Sequence, residues 1–136
     1  MTISVLIVDD HAVSRDSLRA WMEMASDIQI VGEAAGGEAA LPLAETMHPD
    51  VVVIDCTKPG MGGLDVTSLM RHQRFEIQVV ILSMYNDLAH VSAAIQNGAS
   101  AYLLKEDVVT HLVQAVMAAA SGQLYFSPSL GEMIPL

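Results

Sequence analysis

The chain has 136 residues, 52% of them hydrophobic, which suffices for one domain with a real core but not for two. That composition argues against disorder, and no apolar run approaches the roughly 18–20 residues that span a bilayer. The formal net charge is −10 with only six Lys and Arg, which makes the chain itself a poor binder of nucleic acid.

Ile3–Val8 reads as a strand and stops on two carboxylates, Asp9 and Asp10. Ser14–Ala25 places Leu18, Trp21, Met22 and Ala25 at helical spacing. Ile28–Ala34 is a second strand, punctuated by Gly36-Gly37. Glu38–Met47 reads as a helix that tolerates Pro42 in its first turn. Pro49-Asp50 precede a third strand, Val51–Ile54, which stops on Asp55. A turn-rich stretch, Lys58-Pro59-Gly60-Met61-Gly62-Gly63, leads into a helix over Leu64–Gln73. Ile77–Leu82 is a fourth strand ending at Ser83. Asp87–Gln96 is a helix closed by Asn97-Gly98 as a left-handed cap. Ala99–Leu104 is a fifth strand ending at Lys105, and Val108–Ser121 is the last helix, stopped by Gly122.

Five strands alternating with five helices predict an α/β fold, a doubly wound parallel sheet covered on both faces. The near-continuous Val/Ile/Leu strands agree, because such strands are buried on both sides. Residues 1–122 read as one domain. Residues 123–136, with two prolines, two serines and a glycine, read as a linker or tail. The N-terminus has no basic stretch followed by an apolar one, so no signal peptide is expected. The single cysteine, Cys56, excludes an internal disulfide and fits a reducing cytoplasm.

In an open parallel sheet, sites form beyond the carboxyl ends of the strands. The residues there are Asp9, Asp10, Asp55, Ser83 and Lys105. Three clustered carboxylates repel, so they require a cation or a raised pKa. A carboxylate can attack phosphorus and form an acyl phosphate. Mg2+ prefers oxygen ligands and suits one or two carboxylates plus a phosphate. A serine hydroxyl can hydrogen-bond a phosphoryl oxygen, and an ammonium can pair with it. Together these are the parts for phosphoryl transfer to an aspartate.

The segments Leu6-Ile-Val-Asp-Asp-His11, Val53-Ile-Asp55, Pro59-Gly-Met-Gly-Gly-Leu64, Val80-Ile-Leu-Ser83 and Gly98-Ala-Ser-Ala-Tyr-Leu-Leu-Lys-Glu106 follow one another in an order and spacing that resemble a known family. The chain resembles the receiver domain of a two-component response regulator, most nearly of the LuxR/NarL type, from about residue 3 to about residue 122. The resemblance implies a flavodoxin-like sheet of strand order 2-1-3-4-5. It implies that Asp55 is the phosphoacceptor and that Asp10 ligates Mg2+ directly, with Asp9 acting through a water. It further implies that the backbone carbonyl of Thr57 is a third protein ligand and that Lys105 pairs with the phosphoryl group. Ser83 and Tyr102 match the switch pair. The implied partners are a sensor histidine kinase, a second copy of the chain on phosphorylation, and DNA only through a C-terminal helix-turn-helix domain outside these 136 residues. A cytoplasmic location follows, with no membrane contact.

Lys58 departs from the pattern, since the family usually has an apolar residue three positions after the phosphoacceptor. Lys58 either brings positive charge to the acids and modulates the site, or packs its stem and extends its head into water. Asp9 and Asp10 can also be read as caps of the first helix. Tyr102 can be read as plain strand packing. His11 reads as a loop residue or outer donor, and Cys56 as a small packed residue. The last helix carries an apolar stripe, Val108, Val109, Leu112, Val113, Val116 and Met117, which serves either deep packing or a protein contact, as does Trp21-Met22 on the first helix. Two rivals stand beside the switch. One is a phosphatase of the haloacid-dehalogenase type, whose second acid falls two residues after the nucleophile, whereas Asp9 and Asp10 are adjacent. The other is a degenerate receiver that serves only as an interaction module.

Overall fold

The computed structural model describes residues 2–56, 63–73 and 76–133, and side chains as far as residue 130. The expected Thr57 ligand and Lys58 lie outside the described residues. The strands are β1 (Ile3–Val8), β2 (Ile28–Ala34), β3 (Val51–Asp55), β4 (Gln78–Ser83), β5 (Ala101–Leu104) and β6 (Tyr125–Phe126). The helices are α1 (Ala12–Glu23), α2 (Gly37–Met47), α3 (Gly63–Gln73), α4 (Leu88–Gln96) and α5 (Val108–Ala120). A single 3-10 turn, Lys105–Asp107, joins β5 to α5, and a second 3-10 segment spans Pro128–Met133.

All neighbouring strands are parallel, in the order β2-β1-β3-β4-β5-β6. The first five follow the order that the resemblance implied. The sixth corrects the strand count, and it arises within residues 123–136. There Tyr125 pairs with Ala101 and Phe126 with Tyr102. The Ser127 amide then donates to the Tyr102 carbonyl at 2.9 Å, and Leu130 is buried at 3% exposure.

Strand side chains alternate between two cores, as the two-residue period requires. Leu6, Val8, Val52, Ile54, Val79, Ile81, Tyr102 and Leu104 join α2, α3 and α4 on one face. Val5, Ile7, Val51, Val53, Val80, Leu82, Ala101 and Leu103 join α1 and α5 on the other. The inner strands β1, β3, β4 and β5 are buried on both sides, which is why they show no alternating polar pattern, whereas the edge strand β2 exposes Gln29 and β6 is half-buried. The α5 stripe is largely core: Val108, Leu112 and Val116 are buried, while Val109 and Met117 are exposed. Met22 is fully buried and Trp21 packs partly against the same core.

Helix ends follow local chemistry. α1 begins at Ala12, two residues before the expected start, because the His11 carbonyl already accepts the Arg15 amide at 3.0 Å. Pro42 sits in the second turn of α2 rather than the first, since that helix starts at Gly37. Its ring therefore removes an interior backbone hydrogen bond, on an exposed side of the helix. α4 ends as expected: Gly98 takes φ 98°, its amide bonds the Ile95 carbonyl, and the Ala99 amide bonds the Ala94 carbonyl.

Candidate functional site

The parallel registers bring the functional strand ends to one edge. Val8 lies beside Ile54, Asp55 beside Leu82, and Ser83 beside Leu104. The chain order turns back between β1 and β3, the switch point where open α/β sheets form clefts. A cleft of about 380 Å3 opens there, lined by Asp9, Asp10 and Asp55 with Gly36, Gly37 and Glu38 opposite. The three acids expected from the strand ends therefore share one cleft.

Their environments differ. Asp9 is 3% exposed, and its amide continues the ladder to the Ala34 carbonyl at 3.0 Å. One of its carboxylate oxygens accepts the His11 amide at 2.9 Å, and the other accepts the Ser14 hydroxyl. Its own carbonyl accepts Arg15 Nη1 at 2.7 Å, and Arg15 is held in turn by Glu33 at 3.2 Å. Asp9 does not cap α1 as the sequence allowed: the N-cap is His11, with no side-chain cap hydrogen bond, and Asp9 holds its approach through the His11 amide and the Ser14 hydroxyl. Asp10 has a side chain 38% exposed, with Oδ1 at 3.1 Å from His11 Nδ1. Asp9, Asp10 and His11 place three ligand atoms within 4.8 Å of one another.

Asp55 ends β3 with its carboxylate 2% exposed, and Lys105 Nζ donates to its Oδ2 at 2.9 Å. A carboxylate so buried requires such a partner. Beside it, Cys56 is a protonated thiol: burial pushes its pKa up to about 12, with the Asp55 charge adding to the shift and Lys105 opposing it. That fits the packed-residue reading of Cys56, because the thiolate is the reactive form. Gly63 lies hard against it. A Cβ at that position would stand 2.0 Å from Cys56 Sγ and 3.0 Å from Ile54 Cγ2.

Ser83 and Tyr102 lie in an adjoining cleft of about 330 Å3 that shares Gly63 with the first. Ser83 is 3% exposed, and its Oγ accepts the Tyr85 amide at 3.0 Å. Tyr102 points inward, and its hydroxyl donates to the Tyr85 carbonyl at 2.6 Å. Burial pushes its phenol up, against a lowering hydrogen bond from Ser83. The Tyr85 and His90 rings stack with centroids 4.1 Å apart, and His90 Nδ1 lies 2.7 Å from Asp87. The hydrogen bond from His90 holds the Asp87 carboxyl below its ordinary value.

Ser14, Arg15, Glu33, Tyr85 and His90 escaped the sequence reading. Ser14 and Arg15 had one available signal, since they fall in the first turn of a helix that follows an acid pair. Glu33 and His90 had none, because their partners are set by strand pairing and ring packing.

The model of the response regulator receiver domain matches residues 5–117. The chain belongs to that family. This receiver is 35% identical over 131 residues to the nitrate/nitrite response regulator protein NarL of Escherichia coli K12, covering 96% of this chain and 61% of that protein. It is 34% identical to the response regulator GacA of Pseudomonas aeruginosa, covering 98% of this chain and 63% of GacA. Such relatives place it in the LuxR/NarL-type group. A crystal structure of a LuxR-family two-component response regulator from Aurantimonas superposes with a TM-score of 0.93 at 33% identity, covering 98% of this chain and 96% of that one. The receiver domain of a NarL from Mycobacterium tuberculosis gives 0.84 at 34% identity, covering 90% and 98%. The chain spans about three fifths of the length of the curated relatives it matches.

The donor set of the cleft suits a hard divalent cation. It offers carboxylate oxygens at Asp9, Asp10 and Asp55, of which Asp10 is the most open to solvent while Asp9 and Asp55 already accept hydrogen bonds. Among the described residues, no helix is long and apolar enough to cross a membrane.

Proposed function

We propose that this receiver is a phosphorylation-operated switch that takes a phosphoryl group from a sensor histidine kinase onto Asp55. The observation that carries the reading is the buried Asp55 carboxylate with Lys105 Nζ at 2.9 Å, in the cleft that also holds Asp9 and Asp10. One Asp55 oxygen attacks phosphorus, the P–N bond of a phosphohistidine breaks, and the imidazole leaves with its electron pair. An acyl phosphate results, and water later attacks it to return inorganic phosphate and the free carboxylate. Mg2+, when bound, neutralises the phosphoryl oxygens. Asp10, Asp55 and the backbone carbonyl of Thr57 would hold it, with Asp9 acting through a water. Lys105 moves its ammonium from the carboxylate to a phosphoryl oxygen.

Phosphorylation adds roughly −1.5 to −2 charges and new acceptor oxygens. Ser83 donates its hydroxyl to one of them and gives up the Tyr85 amide. Tyr102, bonded to the same residue, reports the change at the surface. The output is a homodimer, and through it control of transcription by a DNA-binding domain outside this chain. Lys58 modulates the metal or the phosphoryl lifetime. The protein works in the cytoplasm and does no other catalysis.

The test is modification by acetyl phosphate with Mg2+, read by intact mass and by size-exclusion chromatography, with Asp55→Asn and Lys58→Met alongside. Wild type gains one phosphoryl group and shifts in oligomeric state, whereas Asp55→Asn does neither. Multiple turnover of a small phosphoester would instead identify a phosphatase. No modification of Asp55 would leave only an interaction module.

A further inference from the structure

The 3-10 turn after β5 is held at both ends. At one end Lys105 donates to Asp55 at 2.9 Å. At the other, Asp107 turns its carboxylate away from the start of α5, where it makes no cap, and toward the C-terminal segment. Its Oδ2 accepts the Ser127 hydroxyl and, at 3.1 Å, the Ser129 amide. Its Oδ1 accepts the Ser129 hydroxyl at 2.8 Å. Asp107 is 9% exposed and Ser127 is fully buried. Three hydrogen bonds from one segment to one carboxylate are more than a tail requires for attachment. β6 is already secured by its pairing with β5 and by Tyr125, whose hydroxyl lies 3.2 Å from both His111 Nδ1 and Gln114 Oε1.

The bonds close a small ring. The Ser127 amide holds the carbonyl of Tyr102 on β5, and its hydroxyl holds Asp107. Lys105 lies between those two points in the chain. Within this ring the turn is tied to the strand that carries it, which restrains the backbone from which the Lys105 side chain extends.

We propose that Asp107 is a positioning residue for Lys105, holding the ammonium over Asp55 by clamping the Lys105–Asp107 turn to Ser127 and Ser129, so that the C-terminal segment is a working part of the phosphoryl site. The inference rests on the phosphoacceptor reading above. It differs from simple anchorage, in which loss of the clamp would lower stability but leave the site unchanged.

Substituting Asp107→Asn separates the two. An amide keeps one acceptor but turns a donor toward the donors of Ser127 and Ser129. Ser129→Ala is the milder variant, at an exposed position, and removes a single hydroxyl bond. The measurement is beryllofluoride affinity by titration calorimetry at saturating Mg2+, together with Mg2+ affinity alone, in the full chain. Asp107→Asn is expected to weaken beryllofluoride binding by about fivefold or more, the span of ordinary coupling between sites, and Ser129→Ala by less. Mg2+ affinity stays within about twofold, because its ligands lie on other strands. In a Lys105→Met background the Asp107 effect disappears, since the two residues act through one interaction. Beryllofluoride affinity unchanged in both single variants, or weakened equally with and without Lys105, overturns the proposal. Wild-type protein that fails to bind beryllofluoride overturns the phosphoacceptor reading itself, and this one with it.

Discussion

At the scale of single residues, position in a strand decided what was legible. Asp55 could be read because a carboxylate ends an apolar run, and Lys105 because it is one of two lysines in the chain and also ends a strand. Asp107 could not, because its partners lie 20 and 22 residues further on and nothing in their spacing marks them. Its hydrogen bonds, those from Ser127 first, hold its carboxyl below the ordinary value of 3.8. A depressed carboxyl stabilises the fold fully above its unfolded pKa and loses that contribution as pH falls through the lower folded value. Wild type should therefore unfold at lower urea as pH drops below about 4, while Asp107→Asn, lacking the group, shows a shallower dependence over the same range. A parallel pair of curves would contradict the clamp. Gly63 illustrates a constraint of space rather than charge. A methyl placed 2.0 Å from Cys56 Sγ forces α3 away from β3, so Gly63→Ala should cost about 1–3 kcal/mol in urea unfolding. Adding Cys56→Ala should recover part of that loss.

At the scale of elements, long runs were legible and short ones were not. Val51, Val52, Val53 and Ile54 announce a strand because nothing polar interrupts them. β6 contributes only two residues within a stretch of Pro, Ser and Gly, too few for any period to register. Its existence depends on an open edge at β5, a tertiary fact. The early start of α1 has a similar origin, in an acid outside the helix that holds the amide of His11, whose carbonyl then accepts the first helical bond from Arg15. Hydrogen exchange distinguishes a paired strand from a loose tail. The amides of Tyr125 and Ser127, bonded to the carbonyls of Ser100 and Tyr102, should exchange with protection close to that of β5 itself. Rapid exchange at both would remove the sixth strand and weaken the case for the clamp.

At the scale of the molecule, alternation of strands and helices was enough for a doubly wound sheet but not for its strand order. The order came from resemblance, because the choice of neighbour is made by burial on two faces rather than by local pattern. What the order produces is a site whose parts are far apart in the chain, with Asp55 and Lys105 separated by 50 positions. Contacts of that separation form late, after loop-closure entropy has been overcome. A nascent or partly assembled chain, with β3 laid down but β5 still absent, presents Asp55 without its ammonium. The pair at the centre of the cleft is therefore complete only after the far end of the domain has been made and folded, so on the proposed reading the site is assembled last, by the same step that closes the sheet.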